Sequence, residues 1–170
     1  MQDEARFGLH EGHTRRRITA FGHKPVQLML PQYKYVWIFA AVDPISGESF
    51  FLELPALDTP CFQAFINELS AAFPGTLNVV LLDGAPPHLA KSLSIPENIL
   101  LIRIPPYCPE LNPAERVWQD MRRNLSADPH PTLSSLVADA ESVLRGYTPS
   151  ELASLTGFDY LRRAYLAHAA

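Results

Sequence analysis

The stretch PPYCPELNPAERVWQDM, residues 105–121, joins a rigid proline-rich segment directly to an amphipathic helix. Asn112 suits the N-cap position, and Pro113 suits the first helical position, where a missing N–H is no loss. Glu115 then falls at the third helical position, where its carboxylate can bond back to the cap and contribute about 1 kcal/mol. The stretch predicts a helix from about residue 113 whose apolar face follows helical spacing: Ala114, Val117, Trp118, Met121 and Leu125. The simplest role for Glu115 is capping.

The composition bounds the class of protein. A chain of 170 residues with 47% hydrophobic content is long enough for one domain with a sizeable core. Cys61 and Cys108 show no CxxC or Cys/His spacing, so we expect neither disulfides nor a zinc site, as in a reducing cytoplasm. The longest apolar run, VWIFAAV, is far shorter than a membrane span, which predicts a soluble protein without a membrane partner. A net charge of −4 argues against an autonomous, tight nucleic-acid binder.

Strand and helix patterns alternate along the chain. DEARFGL predicts a first strand, and YKYVWIFAAVD with ESFFLELP predicts a hairpin around the turn PISG. TPCFQAFINELSAAF predicts a helix capped by Thr59, whereas TLNVVLLDG and ENILLIRIP are typical of parallel strands buried on both faces. The order predicts an α/β fold: a mixed five-stranded sheet with helices on both faces. We expect one domain over residues 1–170, with a core of about 1–127 and a helical tail of about 130–170.

Three acids occupy notable places in this plan. Asp83 ends an apolar strand at the carboxyl edge, where open α/β sheets form their sites, and Gly84 allows a ligand to come close. Glu115 begins the helix after the neighbouring strand, and Asp3 lies on the first strand. Each has an ordinary alternative: a turn cap for Asp83, a helix cap for Glu115 and a polar chain start for Asp3. Together they form an all-oxygen ligand set that suits Mg²⁺ or Mn²⁺ in two-metal phosphoryl transfer.

Three segments carry a family resemblance: QDEARFGL, LLDGAPPHLAKSL and PPYCPELNPAERVWQDMRRNL. Together they resemble the catalytic domain of DDE transposases, in the bacterial insertion-sequence branch of the Tc/mariner group. TRRRITAFGHKP and DPISGESFF are also similar to that family. The resemblance implies a ribonuclease H-like fold, metal-dependent DNA cleavage and strand transfer at element ends, and DNA partners that comprise the terminal inverted repeats and the target. It also implies a catalytic and metal-binding triad of Asp3, Asp83 and Glu115, with Mg²⁺ or Mn²⁺ as cofactor.

Several further residues are candidates for DNA contacts. His88 matches the family position D-x-x-x-x-H and is expected either to touch DNA or to orient a ligand. Two basic groups are either solvated or contact phosphates: Arg15, Arg16 and Arg17 in the N-terminal third, and Arg122 with Arg123 on the open face of the helix. Trp118 lies in the middle of the apolar stripe and is expected in the core rather than against a base.

The chain also departs from the family pattern. Transposases of this kind carry N-terminal helix-turn-helix domains, whereas this sequence begins two residues before Asp3. We therefore expect a separately encoded helix-turn-helix segment or a full-length transposase as partner, and a homodimer is a further expectation. Two alternatives stay open: a truncated, inactive remnant or regulatory fragment that binds full-length transposase, and an unrelated ribonuclease H-like nuclease acting on RNA or branched DNA.

Overall fold

A computed structural model of the chain describes residues 1–9, 32–106, 108, 111–125 and 130–168. The strands are β1 (Gln2–Gly8), β2 (Tyr35–Val42), β3 (Ser49–Leu54), β4 (Asn78–Leu82) and β5 (Ile99–Arg103). The helices are α1 (Thr59–Ala72), α2 (Ala114–Asn124), α3 (Leu133–Gly146), α4 (Pro149–Thr156) and α5 (Asp159–His168), with a 3-10 turn at Pro86–Leu89. This order confirms the predicted alternation of strands and helices.

The five strands form two hydrogen-bonded sheets in the described part of the chain. β1, β2 and β3 form an antiparallel sheet in that order, in which Asp3 lies opposite Ala40 and Glu4 lies opposite Phe39. β4 and β5 form a parallel pair, and β4 lies beside β1. The predicted five-stranded sheet is not confirmed: the described residues form five strands in two sheets, and no backbone ladder among them joins β4 to β1.

Helices cover both faces of the antiparallel sheet, as predicted. The side chains of β2 alternate between two cores because neighbouring residues of a strand point to opposite faces. One core joins β1 and β2 to α2 and α3: Ala5, Phe7, Ile38, Trp118, Met121 and Leu136. The other joins β2, β4 and β5 to α1: Phe39, Phe62, Phe65, Ile66, Val80, Leu82 and Ile99.

The second sheet is buried on one face only. Val80 and Ile99 pack against α1, whereas Val79, Leu100 and Ile102 on the other face are 45%, 46% and 43% exposed. The prediction that β4 and β5 are buried on both faces was therefore wrong. An apolar run predicts that a strand is buried, but it does not show whether another element packs on each face of that strand.

The helix caps follow local chemistry. Asp58, one residue before the predicted Thr59, caps α1, since its side chain accepts a hydrogen bond from Cys61 N at 2.9 Å. Thr132 caps α3 in a capping box with Ser135, and Thr148 caps α4 in a capping box with Glu151. The predicted helices of the tail are confirmed as α3, α4 and α5.

The length and hydropathy of the helices in the described ranges differ from those that a membrane-spanning helix needs. No helix within those ranges combines the length and the apolar character needed to cross a bilayer.

The hairpin turn between β2 and β3 lies close against the first turn of α4. Asp43 accepts hydrogen bonds from Ile45 N at 2.9 Å and from Ser46 Oγ at 2.6 Å. Gly47 follows with φ of 76°, a left-handed conformation that favours glycine. A Cβ at this residue would overlap the carbonyl of Pro149, in the first turn of α4. The turn and α4 therefore need a residue without a side chain at position 47.

Substitution Gly47→Ala should destabilise the fold by at least about 1 to 3 kcal/mol, because it combines backbone strain with steric overlap. Urea denaturation followed by circular dichroism would measure the change in the free energy of unfolding. Gly75→Ala is the matched control, since an added Cβ there meets no atom within 4 Å. Equal effects of the two substitutions would contradict the close approach of the turn to α4.

Candidate active site

The two acids of β1 point to opposite faces of the sheet. Asp3 shares its face with Ala5 and Phe7, which pack in the core formed with α2 and α3. Glu4 lies on the other face, where it meets His88 of the 3-10 turn after β4. The two neighbouring carboxylates thus belong to different surroundings.

Asp3 is tied to α2 through Trp118. The indole Nε1 of Trp118 donates a hydrogen bond to Asp3 Oδ2 at 3.0 Å. The ring itself is 3% exposed and makes edge-on contacts with Phe7 and Phe51 at centroid distances of 6.2 and 6.5 Å. Trp118 is therefore a core residue, as predicted, with a polar atom aimed at Asp3. Glu115 lies three residues before Trp118, on the same side of the helix, and its charge reaches Asp3.

The environment of Asp3 is unfavourable for a negative charge. Burial raises the pKa of its carboxyl to about 7, and the charges of Glu4 and Glu115 act in the same direction. The hydrogen bond from Trp118 lowers the pKa but does not offset the other effects. Asp3 and Glu115 thus form a pair of acids near which a cation would be stabilised.

Asp83 lies directly after β4, at the predicted strand edge. Its side chain is 51% exposed, and its Oδ1 accepts a hydrogen bond from Ala85 N at 2.9 Å. This local bond corresponds to the turn-capping alternative, but it engages only one of the two carboxylate oxygens. Within the described residues, no hydrogen-bond partner engages Oδ2.

His88 links the ends of β1 and β4. Its Nε2 lies 2.8 Å from Glu4 Oε1, and its Nδ1 lies 2.9 Å from Asp83 Oδ1. Burial lowers the pKa of His88, but the hydrogen bond and charge of Glu4, with the charge of Asp83, outweigh it, so the pKa is raised overall. The side chain is fully buried. Of the two predicted roles, this burial favours orienting a ligand over touching DNA.

The structure brings the three predicted acids to neighbouring elements without closing them into one cluster. Asp3 and Glu115 interact electrostatically, whereas Asp83 contacts the β1 side through His88 and Glu4. Within the described ranges, no three His, Cys, Asp or Glu side chains are arranged to hold one metal ion. The triad assignment therefore stays a prediction.

The start of α2 differs slightly from the prediction. The helix begins at Ala114, one residue later than expected, and Pro113 flanks it in a helical conformation. Asn112 still acts at the start, since its side chain accepts from Ala114 N at 3.3 Å and donates to the Gln2 carbonyl at 3.0 Å. In the part of the chain that the structure describes, Glu115 makes no capping hydrogen bond, and its side chain is exposed. The capping explanation of this acid is thus unsupported.

The basic candidates are only partly described. Arg15, Arg16 and Arg17 lie outside the described residues. Arg122 lies over the Phe7 ring at 4.9 Å from its centroid and donates to the Arg6 carbonyl at 3.2 Å, which ties it to β1. Arg123 is exposed on α2. Contacts of these arginines with phosphate stay predictions.

One residue and one contact of this site were missed from sequence. Glu4 pairs with His88, and Asn112, which was predicted only as a cap, joins α2 to β1. Strand alternation could have shown that Glu4 faces away from Asp3 and toward the elements on the other side of the sheet. The contact with Asn112 spans 110 residues, and no local signal in the sequence predicts it.

In metal-free protein, the raised pKa of Asp3 should make stability fall with rising pH. Between its ordinary pKa of 3.8 and about 7, the unfolded state has lost the proton that the folded state keeps. Stability therefore decreases across this window, by about 4 kcal/mol, and the loss is complete above pH 7. Asp3→Asn should remove this decrease, because the amide keeps an acceptor for Trp118 but does not ionise.

Urea denaturation in EDTA from about pH 4 to 8 gives the free energy of unfolding of wild type and of Asp3→Asn, and the difference between them at each pH measures this effect. Asp139→Asn is the control, since Asp139 pairs with His130 in the helical tail. If the free energy of unfolding depended on pH in the same way for wild type and Asp3→Asn, the desolvation of Asp3 would be contradicted.

Comparisons with solved structures support the fold. Three structures of the Mos1 transposase, a paired-end complex with the left transposon end, a strand transfer complex and a mariner paired-end complex with Mn, have TM-scores of 0.70, 0.68 and 0.66. Sequence identities are 15–16%, and the matches cover 89–91% of this chain. This likeness shows that the chain shares the ribonuclease H-like fold of these structures. The chain spans about half the length of these Mos1 chains.

Comparisons of sequence identify the family. An uncharacterised protein of Sinorhizobium fredii, y4pE/y4sA, is 42% identical over 91 residues, which cover 53% of this chain and 67% of that protein. The family model described as DDE superfamily endonuclease matches residues 1–137, which include Asp3, Asp83 and Glu115. The chain belongs to the DDE superfamily endonuclease family.

Proposed function

We propose that this chain is the catalytic domain of an insertion-sequence transposase of the Tc/mariner group, which cleaves and transfers DNA strands at element ends. The observation that carries the proposal is the hydrogen bond from Trp118 to Asp3, which ties the first acid of β1 to the helix that bears Glu115. Asp83 stands at the end of the strand beside β1. Burial of a carboxylate costs free energy, because the charge loses its hydration. A buried acid such as Asp3 is therefore better explained by a function than by stability.

The chemistry of the donors fits a hard divalent cation. Asp3, Asp83 and Glu115 offer only carboxylate oxygens, which Mg²⁺ and Mn²⁺ prefer. The excess negative charge around Asp3 is what a cation would offset. We propose that these three residues hold Mg²⁺ or Mn²⁺, which when bound would activate the attacking hydroxyl and stabilise the leaving oxygen. The Mos1 paired-end complex with Mn is a precedent in a similar fold.

Each acid contributes differently to such a site. Asp83 is half-exposed, and no described residue bonds to its Oδ2, which suits an acid shared between two cations. Asp3 is buried and fixed by Trp118, so it can act as a rigid ligand from one side. Glu115 is exposed at the start of α2, and Pro113, two residues before it, restricts the backbone, so that its carboxylate is presented with little freedom.

DNA is the proposed substrate and partner. The similar Mos1 structures include a complex with a transposon end, and we propose terminal inverted repeats and target DNA as the corresponding partners here. Arg15, Arg16, Arg17, Arg122 and Arg123 are proposed phosphate contacts. Because the chain is acidic overall, we propose that a helix-turn-helix segment, separately encoded or in full-length transposase, supplies recognition in the cytoplasm. A homodimer would bring two element ends together.

Substitution of Glu115 by Gln separates the metal-ligand role from a capping role. Gln keeps the size and an acceptor but loses the charge, so metal-dependent cleavage should fall by about 100-fold or more, whereas stability should change little. Glu151→Gln is the matched control, because Glu151 is a capping glutamate that accepts from Thr148 N at 2.8 Å. Its cleavage rate should equal that of wild type. Full activity of Glu115→Gln would exclude Glu115 as a ligand.

The overall proposal is tested by cleavage and strand transfer on linear DNA that carries candidate element ends. The chain would be assayed alone and fused to the segment encoded upstream, with Asp83→Ala as the inactive control. Activity in Mg²⁺ or Mn²⁺ that the control lacks would support the proposal. Activity of the fusion alone would assign the chain as the catalytic half of the enzyme. Inactivity of both, with the fold intact, would favour a regulatory fragment.

A further inference from the structure

Glu4 and His88 form a buried polar pair at the edge of the site. The side chain of Glu4 is 5% exposed and that of His88 is fully buried, with 2.8 Å between Oε1 and Nε2. Gln2 Nε2 also donates to Glu4 Oε1 at 2.7 Å. A buried pair of this kind costs desolvation free energy that apolar residues of similar size would not. Its presence beside the site therefore calls for a role other than stability.

The ring of His88 is fixed from behind. Glu4 holds Nε2, and the ring packs against Phe62 with 4.3 Å between centroids. Its buried Nδ1 lies 2.9 Å from Asp83 Oδ1, an ion-pair distance, and makes no hydrogen bond within the described residues. The ring thus has little freedom, and its remaining nitrogen faces the carboxylate of Asp83.

The contacts of Asp83 in the described part of the chain fall on one of its two carboxylate oxygens. Ala85 N and His88 Nδ1 each lie 2.9 Å from Oδ1 of this half-exposed side chain, and no described residue bonds to Oδ2. Metal-ligating groups are commonly oriented by a neighbouring polar or charged side chain, and here the ion-pair contact with His88 Nδ1 can orient Asp83. Loss of an orienting residue reduces metal affinity about 10- to 100-fold.

We propose that Glu4 and His88 are positioning residues for Asp83: Glu4 fixes the His88 ring, and His88 fixes the Asp83 carboxylate so that Oδ2 is presented to a divalent cation. This inference rests on the proposed metal-binding role of Asp83. It assigns a role to the second acid of β1, which faces away from Asp3 and lies outside the predicted triad.

The test is a titration of the purified chain with Mn²⁺, in which free Mn²⁺ is followed by electron paramagnetic resonance. Glu4→Ala and His88→Phe should each weaken Mn²⁺ binding about tenfold. Phe keeps the aromatic contact with Phe62 but has no nitrogen. The double variant should bind as weakly as either single variant, because both act through one pathway. Glu4→Gln keeps an acceptor for His88 and should stay within about threefold of wild type.

Two controls separate positioning from folding. Thermal unfolding in EDTA shows whether each variant folds; if Glu4→Ala does not, Glu4→Gln and His88→Phe carry the comparison. Asp139→Asn removes a carboxylate from another His–Asp pair, at 3.0 Å in the helical tail. This variant should bind Mn²⁺ as wild type does.

The possible results are distinguishable. If Asp83→Ala weakens binding but folded His88→Phe does not, the positioning role is overturned and the metal site stands. If the losses of Mn²⁺ affinity in the two single variants multiplied in the double variant, Glu4 would not act through His88, and this proposal would also be overturned. If Asp83→Ala binds Mn²⁺ as tightly as wild type, the proposed metal site fails, and the positioning role fails with it.

Discussion

The alternation of side chains along β1 is the constraint on which the site depends. Asp3 and Glu4 are neighbours in the chain, so they must project from opposite faces of the sheet. Pairing with Ala40 and Phe39 of β2 fixes this register, and a slip by one residue would exchange the two acids. The hydrogen-bonded pairing of β1 with β2 thus determines which acid meets Trp118 and which meets His88.

The site places acidic side chains close together, which is electrostatically unfavourable, and the apolar packing around it offsets part of that cost. Asp3 is desolvated beside two other carboxylates, an arrangement that lowers stability in the absence of a cation. The aromatic packing of Trp118 with Phe7 and Phe51, and of Phe62 with Phe65, supplies apolar burial on either side. Such a conflict between local charge and global stability is typical of functional sites, where selection acts on chemistry as well as on folding.

The sequence was informative where the controlling interactions are local. Periodicity predicted the order of the elements, because helix and strand spacing depend on neighbouring residues. The cap of α1 was placed one residue late, since Asp58 and Thr59 are both competent caps and the choice depends on the backbone conformation. The open face of β4 and β5 and the Glu4–His88 contact could not be predicted, because both depend on how distant elements meet. The contact joins residues 84 positions apart.

The first turn of α2 explains how an exposed acid can still be well positioned. Asn112 is 5% exposed and donates to the Gln2 carbonyl of β1. From the other side, the Tyr160 hydroxyl of α5 donates to the Leu111 carbonyl at 2.5 Å, and the Arg116 guanidinium lies over the Phe158 ring at 4.4 Å. These contacts flank Glu115 in sequence, so its backbone is fixed while its carboxylate stays open to solvent. A ligand that binds there does not have to order the backbone, which reduces the entropic cost of binding. The helical tail therefore helps to build the site, since it holds the segment that presents Glu115.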